Sequence, residues 1–321
     1  MSAQLCIFDA RNTGRAAYCK EHTDNHRTSS AIMFALNTIL GFIFLARANG
    51  ALTQVSDFGS NPAGIQMFVD VPANVASKAP VIVALHGCRS SAQSYYTNNA
   101  LPTLAKQKNA ILIYPSSTHE LLCWDCGTKK SLTRDGGGDP QSIVQMVKYV
   151  LKTYSADPTR VYIVGTSSGA MMGNVLAAVY PDVFAAASVY SGVAAGCMAV
   201  PDGTPPNPYD PCALGRITKT PMQWGDIVRS YNPGYSGPWP RMQIWHGTSD
   251  SVVVYQNLIE DLKQWSNVHG ANFASNTTND PESAYTRMSY GDGTKLVGYS
   301  AKGVGHVVPV HPAQALSFFG L

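Results

Sequence analysis

The chain has 321 residues, 45% of them hydrophobic and 13% charged, with a formal charge of +3 at neutral pH. That length and apolar content suffice for one large core. Residues 1–48 hold five of the 23 basic and three of the 20 acidic side chains, so the remainder is near neutral, with no basic stripe to track a nucleic acid.

Ala31 to Ala46 (AIMFALNTILGFIFLA) is an apolar run interrupted only by Asn37 and Thr38, and Ala46-Arg47-Ala48 behind it is a small-x-small cleavage site. This reads as a secretory signal peptide over 33–48, short of the roughly 20 apolar residues a membrane span needs. The expected organisation is a non-native or disordered extension at 1–32, starting the true protein at Met33, and one domain at 49–321. The alternative is a signal anchor with a cytosolic tail; otherwise the mature chain is secreted and free of membrane.

The elements then follow in order. Ile65 to Val71 alternates as a half-buried strand, and Pro80 to Leu85 and Ile111 to Tyr114 are continuous apolar runs of the buried kind, the latter closed by Pro115. Ser91 to Gln107 fits a crossover helix. After Gly136-Gly137-Gly138, Asp139 as N-cap and Pro140 at N1 start a helix with Ile143, Val147, Val150 and Leu151 as its stripe. Val161 to Val164 is a strand, Ala170 to Val179 a helix and Phe184 to Tyr190 a strand. From Cys197 to Pro240 the pattern dissolves into Pro, Gly, Asn and Asp, read as an ordered surface excursion forming a lid or rim. Arg241 to His246, Tyr285 to Tyr290 and Leu296 to Ser300 are strands, with helices at Tyr255 to Trp265 and His311 to Phe319. Strands alternating with helices predict a single-domain α/β fold, mainly parallel, with helices on both faces.

The chemistry centres on Gly165-Thr166-Ser167-Ser168-Gly169, a G-x-S-x-G nucleophile elbow between a strand and an apolar helix. A serine nucleophile needs a histidine base held by a carboxylate, in the chain order Ser, Asp, His. Asp250 after RMQIWHGTS and His306 after Gly303-Val304-Gly305 fall in that order, each past a strand's carboxyl end. His86, His246 and His311 compete as bases, but His246 precedes the acid and reads as a structural histidine bonded to backbone, and His311 as a helix-start residue. Asp280 and Asp292 lie in polar turns with no strand to place them. The backbone N–H groups of Ser168 and of Cys88, in the loop after PVIVAL, are the candidate oxyanion donors.

Seven cysteines include Cys6 and Cys19 in the extension, leaving Cys88, Cys123, Cys126, Cys197 and Cys212. Five is odd, so one thiol is unpaired, and the residues alone leave open which of Cys123 and Cys126 it is. Cys123-Trp124-Asp125-Cys126 lacks a second pair for zinc, and no histidine spacing implies a metal or cofactor. Asn276-Thr277-Thr278 is an N-glycosylation sequon.

The motifs LHGC, CWD, LTRDGGGDPQSIVQMV, GTSSGAMMGNVLAAVYPDVFAA, YSGVAAGC, RMQIWHGTSD and GVGHVVPVH together resemble the fungal acetylxylan esterases of carbohydrate esterase family 1, relatives of feruloyl and polyhydroxybutyrate depolymerase-like esterases. The resemblance runs from about Leu52 to Leu321. It implies an α/β-hydrolase fold, a secreted enzyme, and deacetylation of acetylated xylan or another esterified plant polysaccharide by a Ser167, His306 and Asp250 triad. It also implies the disulfides Cys88–Cys123 and Cys197–Cys212. The chain departs from the family at Gly87, where Tyr is common, at Arg134-Asp135 in place of His-Asn, and in having Cys126. Trp124 and Trp239 are candidates for a sugar-stacking rim. The alternatives are a feruloyl esterase with the same triad, and a catalytically silent binding protein on the same fold.

Overall fold

A computed structural model describes residues 52–201 and 210–321. The expected extension at 1–32, the signal peptide at 33–48, and Cys6 and Cys19 lie outside the described residues.

The strands are β1 (Thr53–Val55), β2 (Gln66–Asp70), β3 (Val81–Leu85), β4 (Ile111–Ser116), β5 (Val161–Thr166), β6 (Ala186–Tyr190), β7 (Arg241–Gly247), β8 (Phe273–Thr278), β9 (Tyr285–Tyr290) and β10 (Leu296–Ala301). They form one sheet in the order β1-β2-β4-β3-β5-β6-β7-β10-β9-β8. From β4 through β10 neighbours run parallel, and the outer pairs at both edges are antiparallel. The helices are α1 (Ala92–Thr97), α2 (Leu101–Gln107), α3 (Asp139–Tyr154), α4 (Ser168–Val179), α5 (Pro221–Tyr231), α6 (Gln256–His269) and α7 (Pro312–Phe319). Side chains of α3 to α6 pack on one face with Val81, Val83 and Leu85, while those of α1, α2 and α7 pack on the other with Ile82 and Ala84. The alternation along β3 thus feeds two cores, which is why the parallel strands read as unbroken apolar runs.

Several elements differ from expectation. Pro115 does not close β4: it pairs with Met67 of β2, while the register with β3 ends at Ile113. The missing N–H points to the side where no partner strand remains, so the strand continues at no cost. The crossover at 91–107 is two short helices rather than one. Gly138, not Asp139, is the cap of α3; the Asp139 carboxylate instead accepts from the Asp125 amide (2.9 Å) and contacts His119 Nε2 (2.7 Å). The excursion at 197–240 contains α5, which starts on a capping box between Thr220 and Gln223 and buries Trp224, whose indole donates to Glu260 (2.8 Å). That stretch is therefore partly core, and T-P-M-Q was its signal.

Candidate active site

The turn between β5 and α4 gives Ser167 an unusual backbone, with φ +57° and ψ −123°. The flanking glycines make that turn possible: a Cβ at Gly165 would run into the Gly169 carbonyl, and one at Gly169 into the Leu85 carbonyl. A non-glycine residue at positive φ carries strain of about 1–3 kcal/mol, stored where the serine is thrust out of the sheet. The first helical amide, Ser168 N–H, is one of the donors an α-helix leaves without an internal partner.

The loops after β7 and β10 are tied together by backbone. Thr248 N donates to Ala301 O and Ser249 N to Val304 O, both at 2.9 Å, and Gly303 N donates to Thr248 Oγ1 at 2.9 Å. Gly247 has no room for a side chain because the Val304 carbonyl crosses it. This close crossing delivers Asp250 and His306 to the same point. His306 Nδ1 lies 2.9 Å from Asp250 Oδ2, and His306 Nε2 lies 2.9 Å from Ser167 Oγ.

Asp250 is fully enclosed and saturated. Its Oδ1 accepts from the amides of Val252 and Val253, both at 2.9 Å, and its Oδ2 faces both His306 and His246, the latter at 3.2 Å. Burial alone would raise this carboxyl, but the hydrogen bonds from His246, His306 and the Val252 amide outweigh it and hold Asp250 well below the usual carboxylate range. A fixed negative charge at Oδ2 favours the tautomer with the proton on His306 Nδ1. That leaves Nε2 with a lone pair aimed at the serine hydroxyl. The arrangement is chemically able to deprotonate Ser167 and to stabilise the imidazolium that results.

A family profile described as esterase PHB depolymerase matches residues 66–204. Feruloyl esterase B of Neurospora crassa is 48% identical over 88% of this chain and 98% of its own length. Acetylxylan esterase A of Aspergillus ficuum is 41% identical over 91% of this chain and 99% of its own. Among solved structures, the acetyl xylan esterase from Aspergillus awamori superposes with a TM-score of 0.81 at 42% identity, over 84% of this chain and 99% of that one. This chain belongs to the fungal acetylxylan and feruloyl esterase family.

In this esterase the loop after β3 lies directly against the serine. A Cβ at Gly87 would sit 3.2 Å from Ser167 Cβ, so the absence of a side chain leaves space beside the hydroxyl. His86 braces the loop: its Nδ1 contacts Gly87 O at 2.7 Å, its Nε2 accepts from Ser117 N–H at 3.1 Å, and burial lowers its pKa so that it stays neutral. The Cys88–Cys123 disulfide clamps the next residue, and Cys197–Cys212 closes the second bridge. Cys126 is the free thiol among the described residues, buried, with its pKa pushed up by that burial.

The two tryptophans are not at a rim around Ser167. Trp124 is buried, and its indole donates to His86 O at 2.8 Å, so it props the β3 loop and offers no face to solvent. Trp239 precedes β7, at the end of the strand opposite Asp250; in a parallel sheet that puts it on the far pole, a placement its position before the strand already encoded. Arg134 pairs bidentately with Asp182 and lies over the Tyr180 ring. His246 has a second contact that its place before the acid in the chain does not reveal. Its Nε2 contacts the Val253 carbonyl at 2.7 Å, the expected backbone bond, and also reaches Asp250. His311 is stacked on Trp245.

Proposed function

We propose that this esterase is a secreted serine enzyme that removes acetyl groups from acetylated xylan through an acyl-enzyme. Ser167 Oγ attacks the ester carbonyl while its proton passes to His306 Nε2, and Asp250 holds the imidazole and its charge. The Cys88 and Ser168 amides receive the oxyanion, a pair of donors each worth roughly 10² to 10³ in turnover. Collapse expels the sugar alkoxide, which takes the proton back from His306. Water, deprotonated by the same nitrogen, then releases acetate and restores the serine.

The observation that carries this reading is the pair of 2.9 Å hydrogen bonds linking Ser167, His306 and Asp250 in a member of an esterase family. Two features support secretion: the bridged cysteines, which belong to oxidising compartments, and an exposed sequon asparagine, Asn276 on the edge strand β8, as a glycan site. No helix among the described residues is long and apolar enough to cross a membrane.

A second reading, release of hydroxycinnamate, has its own support in the open space at Gly87 and in relatives named feruloyl esterase B at 45–48% identity. Acetate release from acetylated xylan measured beside hydrolysis of methyl ferulate decides between them. Acetate release at least tenfold the more efficient upholds the first reading, and the reverse ratio replaces it with the second.

A further inference from the structure

A cleft of about 810 Å³ opens at the pole opposite Ser167, among the amino ends of β5, β6, β7 and β10. Its wall includes Tyr235 and Trp239, the aromatic residues of the stretch NPGYSGPWP, together with Phe184. β7 separates Trp239 from Asp250 by its full length of seven residues, roughly 20 Å at strand spacing, so the cleft is no extension of the reaction site.

The aromatic pair is built, not incidental. The Tyr235 and Trp239 rings meet edge to face with centroids 5.1 Å apart. Tyr235 is fixed by its amide, which donates to Asn232 O at 3.1 Å, and by its hydroxyl, which donates to Pro238 O at 2.8 Å. Gly237 leaves the space that ring occupies: a Cβ there would lie 2.6 Å from the Tyr235 hydroxyl. Trp239 is half-buried, one part against the main core and the rest in the cleft. On the rim, the Lys295 side chain is exposed and makes no ion pair among the described residues, whereas Arg241 is committed to the Phe318 carbonyl at 2.6 Å.

We infer that this cleft is a second, non-catalytic carbohydrate site that holds a run of pyranose units of the polysaccharide. The class of ligand follows from three features. The volume lies in the range of roughly 300–1,000 Å³ that takes small ligands, whereas a protein partner needs a face of about 800 Å². A rigid aromatic wall beside the polar side chains of Thr294 and Lys295 suits a ligand with an apolar C–H face and outward hydroxyls. The gain is residence: a molecule held to the polymer at one pole meets its esters at the other with a raised effective concentration. The inference rests on the reading that the substrate is a polysaccharide.

The test uses the Ser167→Ala protein, which binds without turnover, titrated with xylohexaose by calorimetry. Trp239→Ala and Thr294→Tyr are each added to it, the latter filling the cleft from an exposed position without touching the core. Both are expected to remove a binding component and weaken it roughly tenfold or more. In the otherwise wild-type enzyme they lower acetate release from insoluble acetylated xylan several-fold and leave hydrolysis of 4-nitrophenyl acetate unchanged. Binding unaltered by Thr294→Tyr, absence of any hexaose binding, or a parallel loss on 4-nitrophenyl acetate overturns the site. Because Thr294→Tyr is independent of core packing, it decides the matter should Trp239→Ala fail to fold. A wild-type enzyme preferring methyl ferulate overturns the acetyl reading and leaves the binding titration unaffected.

Discussion

His246 and Asp250, four residues apart across the end of β7, are in contact: imidazole Nε2 lies 3.2 Å from the carboxylate oxygen that also faces His306. On the proposed mechanism this makes His246 a positioning residue, holding the carboxylate against the pull of its other donors. Replacing it with Ala removes one contact to a charged group, worth about 1.5–3 kcal/mol, and leaves Oδ2 to His306 alone while the Val252 and Val253 amides still hold Oδ1. The expected result for His246→Ala is a fall in kcat of roughly ten- to a hundredfold with KM little changed. His246→Gln, which keeps an N–H donor, recovers part of the loss. Equal kinetics for the two variants argues that His246 only fills space.

The strained backbone at Ser167 gives a second prediction that separates function from stability. Ser167→Ala and Ser167→Gly both abolish esterase turnover by about a thousandfold or more if the serine is the nucleophile. Their stabilities differ, because φ of +57° costs an alanine but not a glycine. Ser167→Gly is therefore expected to be more stable than Ser167→Ala by about 1 kcal/mol, read as a higher denaturant midpoint. Near-normal turnover in either variant removes Ser167 from the mechanism.

How much of this was legible depends on what each signal measures. The elbow, Asp250 and His306 could be read because strand ends and glycines are local features of sequence. α5 is obscured because the Pro and Gly around it are stronger local signals than the capping pair Thr220 and Gln223. β8 left no alternating apolar pattern, since all six of its residues, Phe273 included, are exposed at the sheet edge. The contact between His246 and Asp250 depends on how a loop folds back on its own strand, which no residue pattern records. Trp239 differs for another reason: an aromatic residue in a Pro/Gly-rich loop fits a sugar platform at either pole, and only its place before β7 assigns it to the pole away from Asp250.

Stability is expected to fall as pH rises, through Asp261. This residue of α6 is fully buried, accepts from Asn174 Nδ2 at 2.8 Å, and has its other oxygen without a partner. Burial pushes its pKa up to about 7, with the hydrogen bond from Asn174 opposing. An unfolded Asp titrates at about 3.9, so between these values the folded state binds the extra proton. The stabilisation is full below the unfolded value and is lost as pH climbs through about 7. Asp261→Asn, which mimics the protonated carboxyl, should flatten the pH dependence of the urea midpoint between pH 5 and 8 relative to wild type. A wild-type midpoint rising over that interval, with no difference in the variant, assigns Asp261 no such role.

Gly87 governs which acyl groups fit, if the acyl chain lies between Ser167 and the Cys88 amide. A methyl group at this position would rest 3.2 Å from Ser167 Cβ and 3.3 Å from Thr166 O, tight but outside outright collision. It would also occupy the space that a large acyl group needs and that acetyl does not. One methylene of misfit in a pocket is worth roughly ten- to two-hundredfold in kcat/KM. Gly87→Ala is accordingly expected to lower kcat/KM on methyl ferulate by roughly tenfold more than on 4-nitrophenyl acetate, and a larger side chain to widen that ratio. Equal losses on both substrates mean that the added carbon has displaced the nucleophile itself, and the acyl chain then lies elsewhere.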